Sequence, residues 1–276
     1  MNIVNQIWKV KGMATGALLV WLLSFSPLYM KAQVGEYRTD LAFGINGGYI
    51  MSSLSFVPEI PQDKLGGITF GVTGRYTCEK YFNSICAIVG EVNLAQTGWK
   101  ESILTPADEP VPILNPETGE EMKGTAEAYS RRTTYIQIPV LARLGWGRER
   151  SGLQAFFQLG PQIGFNLSES TESNFDYQHP EKYKDHWGWN RTSPVINQYT
   201  MPLENKFDYG IVGGGGIELS IRKVGHIIID ARYYYGLGNI YGNTKRDYFA
   251  RSNFQNIAVK LTYLFDIVRT KNDKIK

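Results

Sequence analysis

The chain has 276 residues, of which 43% are hydrophobic, 13% aromatic and 20% charged, with 29 glycines and 17 tyrosines. That is long enough for one large core, and too aromatic and too weakly charged for a disordered chain. Two cysteines exclude a disulfide-dense scaffold, and a net charge of +3 is no footprint of a nucleic-acid binder.

The first segment reads as an export signal. Lys9 and Lys11 precede an uncharged run from Met13 to Met30 that contains Ala17 to Leu23, and Lys31-Ala32-Gln33 follows. A basic start, a short apolar run and a small residue before a polar one describe a cleavable secretory signal peptide over residues 1–32. The competing reading is a single membrane anchor, for which the run is just long enough. No cysteine stands near the cleavage point, so a lipidated N-terminus is not expected. Without Lys9, Lys11 and Lys31 the remaining chain is neutral. Residues 33–40 read as a short periplasmic lead-in.

From Leu41 the dominant period is two, the signature of strands with one face apolar and the other mixed. Near 41–51, Leu41, Phe43, Ile45, Tyr49 and Met51 oppose Ala42, Gly44, Asn46 and Gly48. Near 66–77, Ile68, Phe70, Val72 and Tyr76 oppose Thr69, Thr73 and Arg75; near 86–97, Ile88, Val92 and Leu94 oppose Glu91 and Asn93. Near 133–145, Ile136, Ile138, Val140, Ala142 and Leu144 oppose Tyr135, Gln137 and Arg143. Near 152–166, Leu153, Phe157, Leu159 and Ile163 oppose Gln154, Gln158 and Gln162. Near 207–221, Ile211, Ile217 and Leu219 oppose Asp208, Glu218 and Ser220. Near 226–237, Ile227, Ile229 and Tyr233 oppose Asp230 and Arg232, and near 253–265, Val259, Leu261 and Tyr263 oppose Asn256, Lys260 and Thr262.

Three features turn this pattern inside out, with apolar residues facing lipid. The stretches are long for a soluble sheet and long enough to cross a bilayer at a tilt. Aromatics gather at their ends (Tyr49, Tyr76, Trp99, Trp146, Phe207, Tyr209, Tyr263, Phe265), as interfacial girdles require. Connections alternate: long at 52–65, 98–132, 167–206 and 238–252, short at 78–85, 146–151 and 222–225. Outer-membrane barrels have short periplasmic turns and long outer loops. The expectation is an all-β, antiparallel, up-and-down transmembrane barrel over 41–265 with eight strands and a polar tail over 266–276. Ten strands result if Thr192 to Met201 hides a further hairpin strand. Hydrocarbon leaves unpaired backbone groups unsatisfied, so the sheet must close. At eight strands, side chains fill the interior. Arg75, Glu91, Gln137, Arg143, Gln158, Glu218, Asp230, Arg232 and Lys260 would meet there as a lumen polar network, plugged and with its charges paired.

Several of these segments resemble a known family. Tyr135-Ile136-Gln137-Ile138-Pro139-Val140-Leu141, Glu79 to Phe82 with Glu91 to Trp99, Gly160 to Phe165, Asp208 to Leu219 and Arg232 to Leu237 resemble the PorT-like outer-membrane β-barrel family common in Bacteroidetes. The likeness covers roughly 41–265 and implies an outer-membrane barrel. It brings no catalytic or ligand residues. PorT itself is linked to a secretion machine for surface cargo.

The remaining candidates have plain readings beside the sharper ones. Pro139 falls inside the fourth strand, where it cannot donate to a ladder, so a bulge or a broken ladder is expected. Gly213 to Gly216 lie within a strand with no helix after them, which suits barrel curvature better than a phosphate cradle. Cys78 and Cys86 flank the first short turn in matched register, open to a disulfide or to two free thiols. His179 and His186 share the third long loop with Asp176, Glu181 and Asp185, a set that reads as solvated loop rather than metal site. No histidine is expected to face inward beside a serine, which leaves only His226 at a rim for Ser–His chemistry. Tyr177, Trp187 and Trp189 in that loop could contact a partner or pack on each other.

The functional expectation is a non-enzymatic outer-membrane barrel, structural or surface-binding, without cofactor, catalytic residues or metal. Its partners would be outer-membrane lipid and a protein or glycan at the long loops, not nucleic acid. The alternatives are a small or secretion-associated pore and a barrel-embedded envelope enzyme.

Overall fold

The computed structural model of the chain describes residues 40–78, 84–113, 120, 122, 125–148, 152–178, 195–221, 224–242 and 247–269. Residues 1–39, where the signal peptide and most of the lead-in are expected, residues 270–276 of the expected tail, and His179, His186, Trp187 and Trp189 lie outside the described residues.

The strands are β1 (Asp40–Val57), β2 (Gln62–Asp63), β3 (Leu65–Thr77), β4 (Ile85–Glu101), β5 (Tyr129–Gly147), β6 (Gly152–Ser173), β7 (Phe207–Ile221), β8 (Gly225–Gly236) and β9 (Arg251–Arg269). Each long strand pairs antiparallel with its neighbour in the chain, and β1 pairs with β9 from Asp40↔Arg269 to Val57↔Arg251. Eight long strands therefore close into a ring, which removes every open edge. The two-residue β2 is appended to β4 at Gln62↔Glu101. Where a further hairpin strand was open at Thr192 to Met201, the described part holds a single 3₁₀ turn, Asn197–Tyr199.

The faces are inverted relative to a soluble protein. Ile45 is 65% exposed on the outer wall and Leu261 56%, whereas Arg75 and Lys260 are buried on the inner one. Outward aromatics stand at both ends of this apolar wall. Phe207 contacts Phe165 and Tyr209 toward the long loops, and Phe43 and Phe265 meet edge-on toward the short turns. Trp99 is not part of either girdle. It is fully buried, because β4 runs on to Glu101 and odd-numbered positions of that strand face inward.

The wall departs from ideal pairing at few places. Ile267 and Leu167 are extra residues in bulges at Leu41/Ala42 and Thr134/Tyr135, and both point outward. At Pro139 the β4–β5 ladder breaks without a register shift: Gly90 pairs Val140 and Asn93 pairs Gln137, with nothing paired between. Gly214 and Gly216 face the lumen where a Cβ would lie 2.2 Å from the Ala231 and Ile229 carbonyl oxygens of β8. Any larger residue there would push the two strands apart.

Candidate functional site: the sealed lumen and its cap

Ring closure brings inward side chains from all sides onto one axis. Toward the short-turn end, Glu218 (β7) accepts from Arg75 (β3) at 2.7 Å and from Arg143 (β5), and its Oε1 lies 2.6 Å from His226 Nδ1 (β8). His226 Nε2 reaches Asp266 Oδ1 (β9) at 2.9 Å. The Arg143 guanidinium also lies over the Phe156 ring at 3.4 Å. At mid-height, Glu91 (β4) takes both Arg232 Nη atoms at 2.9 and 2.8 Å, Lys260 Nζ at 2.6 Å and Asn93 Nδ2 at 2.9 Å. Arg232 turns its Nε to Asp230 on its own strand. Asn46 Nδ2 spans Thr73 and Asn93 beside this cluster, at 2.8 Å each.

In these two clusters Arg75, Arg143, Arg232 and Lys260, together with the His226 ring between two carboxylates, stand against Glu91, Glu218, Asp230 and Asp266. This balance matters because a charge removed from water is strongly unfavourable unless paired and hydrogen-bonded. Gln137 and Gln158 line two lumen cavities of about 30 and 10 Å³, respectively, with room for ordered water and nothing larger. Nearer the loops, Tyr234 donates to Asp208 Oδ2 at 2.7 Å.

His226 corrects one expectation. It faces inward, opposite Ser220 in register, with Nδ1 2.9 Å from Ser220 Oγ. The signal was present in its numbering, since His226 shares the parity of Asp230 and Arg232. Asp266 completes a Ser–His–Asp sequence of contacts, but the same Nδ1 lies closer to Glu218 Oε1 than to Ser220. The carboxylate occupies the ring nitrogen that a nucleophile would need, and Glu218 is already committed to two arginines. The arrangement is that of a buried ion-pair cluster rather than of a base poised beside a nucleophile.

The long-loop end is closed by the chain itself. Phe56, Trp99, Tyr241 and Phe249 pack together, with ring centroids 5.0–6.3 Å apart, and Tyr129 meets Tyr199 at 4.5 Å. Arg131 (β5) organises this cap. Its Nη1 donates to the Met201 carbonyl at 2.7 Å, its Nη2 to Glu169 at 2.6 Å, and its guanidinium lies 5.7 Å from the Trp99 ring centroid. Gln198, fully buried, donates from its amide to Glu101 at 3.2 Å. Of the loop aromatics singled out in the sequence, Tyr177 packs against Tyr129 at 6.0 Å. Arg131 and Gln198 carried no sequence signal, because their partners come from strand extensions and loops without periodicity.

Cys78 and Cys86 face each other across the first short turn, the Cys78 N–H donating to the Cys86 carbonyl at 2.8 Å. Both stand as free thiols in this structure. Side chains stand farther apart across such a hydrogen-bonded pair than across the alternate kind. Burial, and then the neighbouring Cys86, also hold the Cys78 thiol above its ordinary value, which disfavours the thiolate that disulfide formation needs. No cluster of three or more metal-ligating side chains forms among the described residues.

Residues 31–242 match the family model described as outer membrane protein beta-barrel domain. The chain belongs to that family. No curated protein matches the sequence. Solved structures similar to it include Ail, the attachment invasion locus protein of Yersinia pestis, at 13% identity and a TM-score of 0.33, covering 81% of this chain and 98% of that one. OprG from Pseudomonas aeruginosa is 10% identical with a TM-score of 0.40, covering 84% and 98% of the two chains. The N-terminal β-barrel domain of OprF from the same organism is 7% identical with a TM-score of 0.34, covering 83% and 99%. Family membership agrees with the closed, inside-out ring, and that ring is the stronger ground for the fold.

Proposed function

We propose that this outer-membrane barrel is a non-enzymatic surface-binding component that presents its long loops outside the cell and conducts nothing through its lumen. The observation that carries the reading is the filled interior: two ion-pair clusters below and an aromatic cap above, with lumen cavities of about 30 and 10 Å³ among the described residues. A barrel so plugged has its working surface at the loops, and the partner is a protein or glycan met there. The cleavable leader over 1–32 supports export, with the short turns facing the periplasm. Likeness of the strand segments to PorT-like barrels supports membership of that subgroup, without extending the secretion role to this chain.

Planar-bilayer recording and surface proteolysis test the reading together. The purified barrel is expected to insert without unitary current steps. On intact cells a protease is expected to cut within 98–132 and 167–206 and to spare 146–151. Stable ohmic channels from the wild-type chain would move the assignment to a pore. Cleavage at 146–151 on intact cells would overturn the orientation.

A further inference from the structure

The segment that closes the mouth of the barrel sits in it as a ligand sits in a site. Over residues 195–203 the backbone forms one 3₁₀ turn, closed by Tyr199 N–H on the Ile196 carbonyl, Met201 N–H on the Asn197 carbonyl and the Gln198 amide on the Val195 carbonyl, with no side-chain cap at its start. What holds it in the mouth is the wall. Arg131 donates to the main-chain carbonyl oxygens of Gln198 and Met201, at 3.4 and 2.7 Å, and the Tyr241 hydroxyl donates to the first of these at 3.5 Å. The Gln198 side-chain amide reaches Glu101, and the Tyr199 ring enters a slot between Tyr129 and Phe175, at 4.5 and 5.5 Å. Main-chain carbonyls read by an arginine, an amide read by a carboxylate and a ring in an aromatic slot are contacts by which a concave site recognises a peptide.

The fit is incomplete. Trp99 Nε1 and Gln198 Oε1, on fully buried side chains, and Arg131 Nε have no hydrogen-bond partner among the described residues. These are donor and acceptor positions on the wall and on the segment that a better-matched occupant would use.

We infer that the mouth formed by Trp99, Glu101, Tyr129, Arg131 and Tyr241 is a peptide-binding site, filled in the structure by the chain's own residues 195–203 and taken by a polypeptide partner that displaces them. The inference rests on the surface-binding reading and narrows its partner to polypeptide. The occupant it fits presents an aromatic side chain beside a residue with both an amide-type donor and an acceptor, with two main-chain carbonyls free for Arg131. An acceptor placed against Trp99 Nε1 would satisfy what Gln198 leaves open.

The test uses the full-length barrel in lipid nanodiscs and a fluorescein-labelled peptide copying Val195 to Leu203, read by anisotropy. Replacing Gln198→Ala and Tyr199→Ala together loosens the internal occupant without touching the wall. The labelled peptide is expected to bind this variant at least tenfold more tightly than the wild type, and to lose at least tenfold when Arg131→Ala is added. If the double variant lacks the β-sheet circular dichroism of the wild type, the single Gln198→Ala substitution, which removes one amide contact, is read in its place with the same expectations. Equal binding to wild type and variant, no binding to a folded variant, or binding indifferent to Arg131→Ala would overturn the proposal. Capture of glycans by the wild type that a hundredfold excess of the peptide leaves unchanged would overturn it too, while leaving the surface-binding reading in place.

Discussion

Glu218 carries more of the lower lumen than any other side chain, since Arg75, Arg143 and His226 all converge on its two oxygens. Removing one partner of a buried ion pair costs more than the pair itself contributes, because the partner left behind is charged and dry. Glu218→Gln is therefore expected to destabilise the barrel by about 3–5 kcal/mol, read from urea unfolding in lipid vesicles. Adding Arg143→Met, which removes one stranded cation, should recover part of that loss. A Glu218→Gln barrel as stable as the wild type would mean that water, not protein, neutralises the arginines. At the opposite extreme of burial, the Cys78 thiol is held above its ordinary value by partial burial and by Cys86. Because the thiolate is the reactive form, alkylation of Cys78 at pH 8 should be slower than that of an unhindered cysteine peptide. The rate should keep rising with pH beyond the point where the peptide's rate has levelled. Cys86→Ser should bring the two profiles closer, and a Cys78 profile lying below that of the peptide in pH would refute the assignment.

The strands are built from alternation, and their corrections come from where alternation was not followed far enough. On β7, Gly214 and Gly216 let the strand approach β8 so closely that a Cβ would lie 2.2 Å from carbonyl oxygens. Gly216→Val is thus expected to cost about 1–3 kcal/mol or more from forced separation of β7 and β8, seen as a lowered thermal midpoint in detergent. An unchanged midpoint would show that the wall bends freely there. The same parity that put Arg75, Glu91 and Lys260 on one face was legible in the sequence, as were the alternating connection lengths that gave the eight-stranded ring. Trp99 and His226 share the inward parity of their strands, although both stand at strand ends where outward aromatics and rim residues are expected. What alternation cannot supply is who meets whom: Arg232 finds Glu91 from 141 residues away, through a closure that no local pattern encodes. The strand extensions of β4, β5 and β6 were not legible either. Above the apolar belt their outer faces turn polar (Lys100, Ser130, Glu172), and the contrast that marks a lipid-facing strand disappears.

As a whole, the molecule exchanges the usual places of grease and charge. The outer wall shows Ile45, Ile68, Ile229 and Leu261, while Arg75, Arg143, Arg232 and Lys260 meet Glu91, Glu218 and Asp230 inside. Hydrocarbon around the wall satisfies the first group, and ring closure satisfies the backbone. The two ion-pair clusters and the aromatic cap fill the interior, so that each part of the design needs the others. Its most direct test is nitroxide scanning along β9 in bilayers, one labelled cysteine at a time from Val259 to Tyr263, with Cys78 and Cys86 replaced by serine. Collision with lipid-dissolved oxygen should peak at 259, 261 and 263 and fall at 260 and 262. Accessibility that is uniform along the strand, or that peaks at 260 and 262, would contradict the inside-out barrel and everything built upon it.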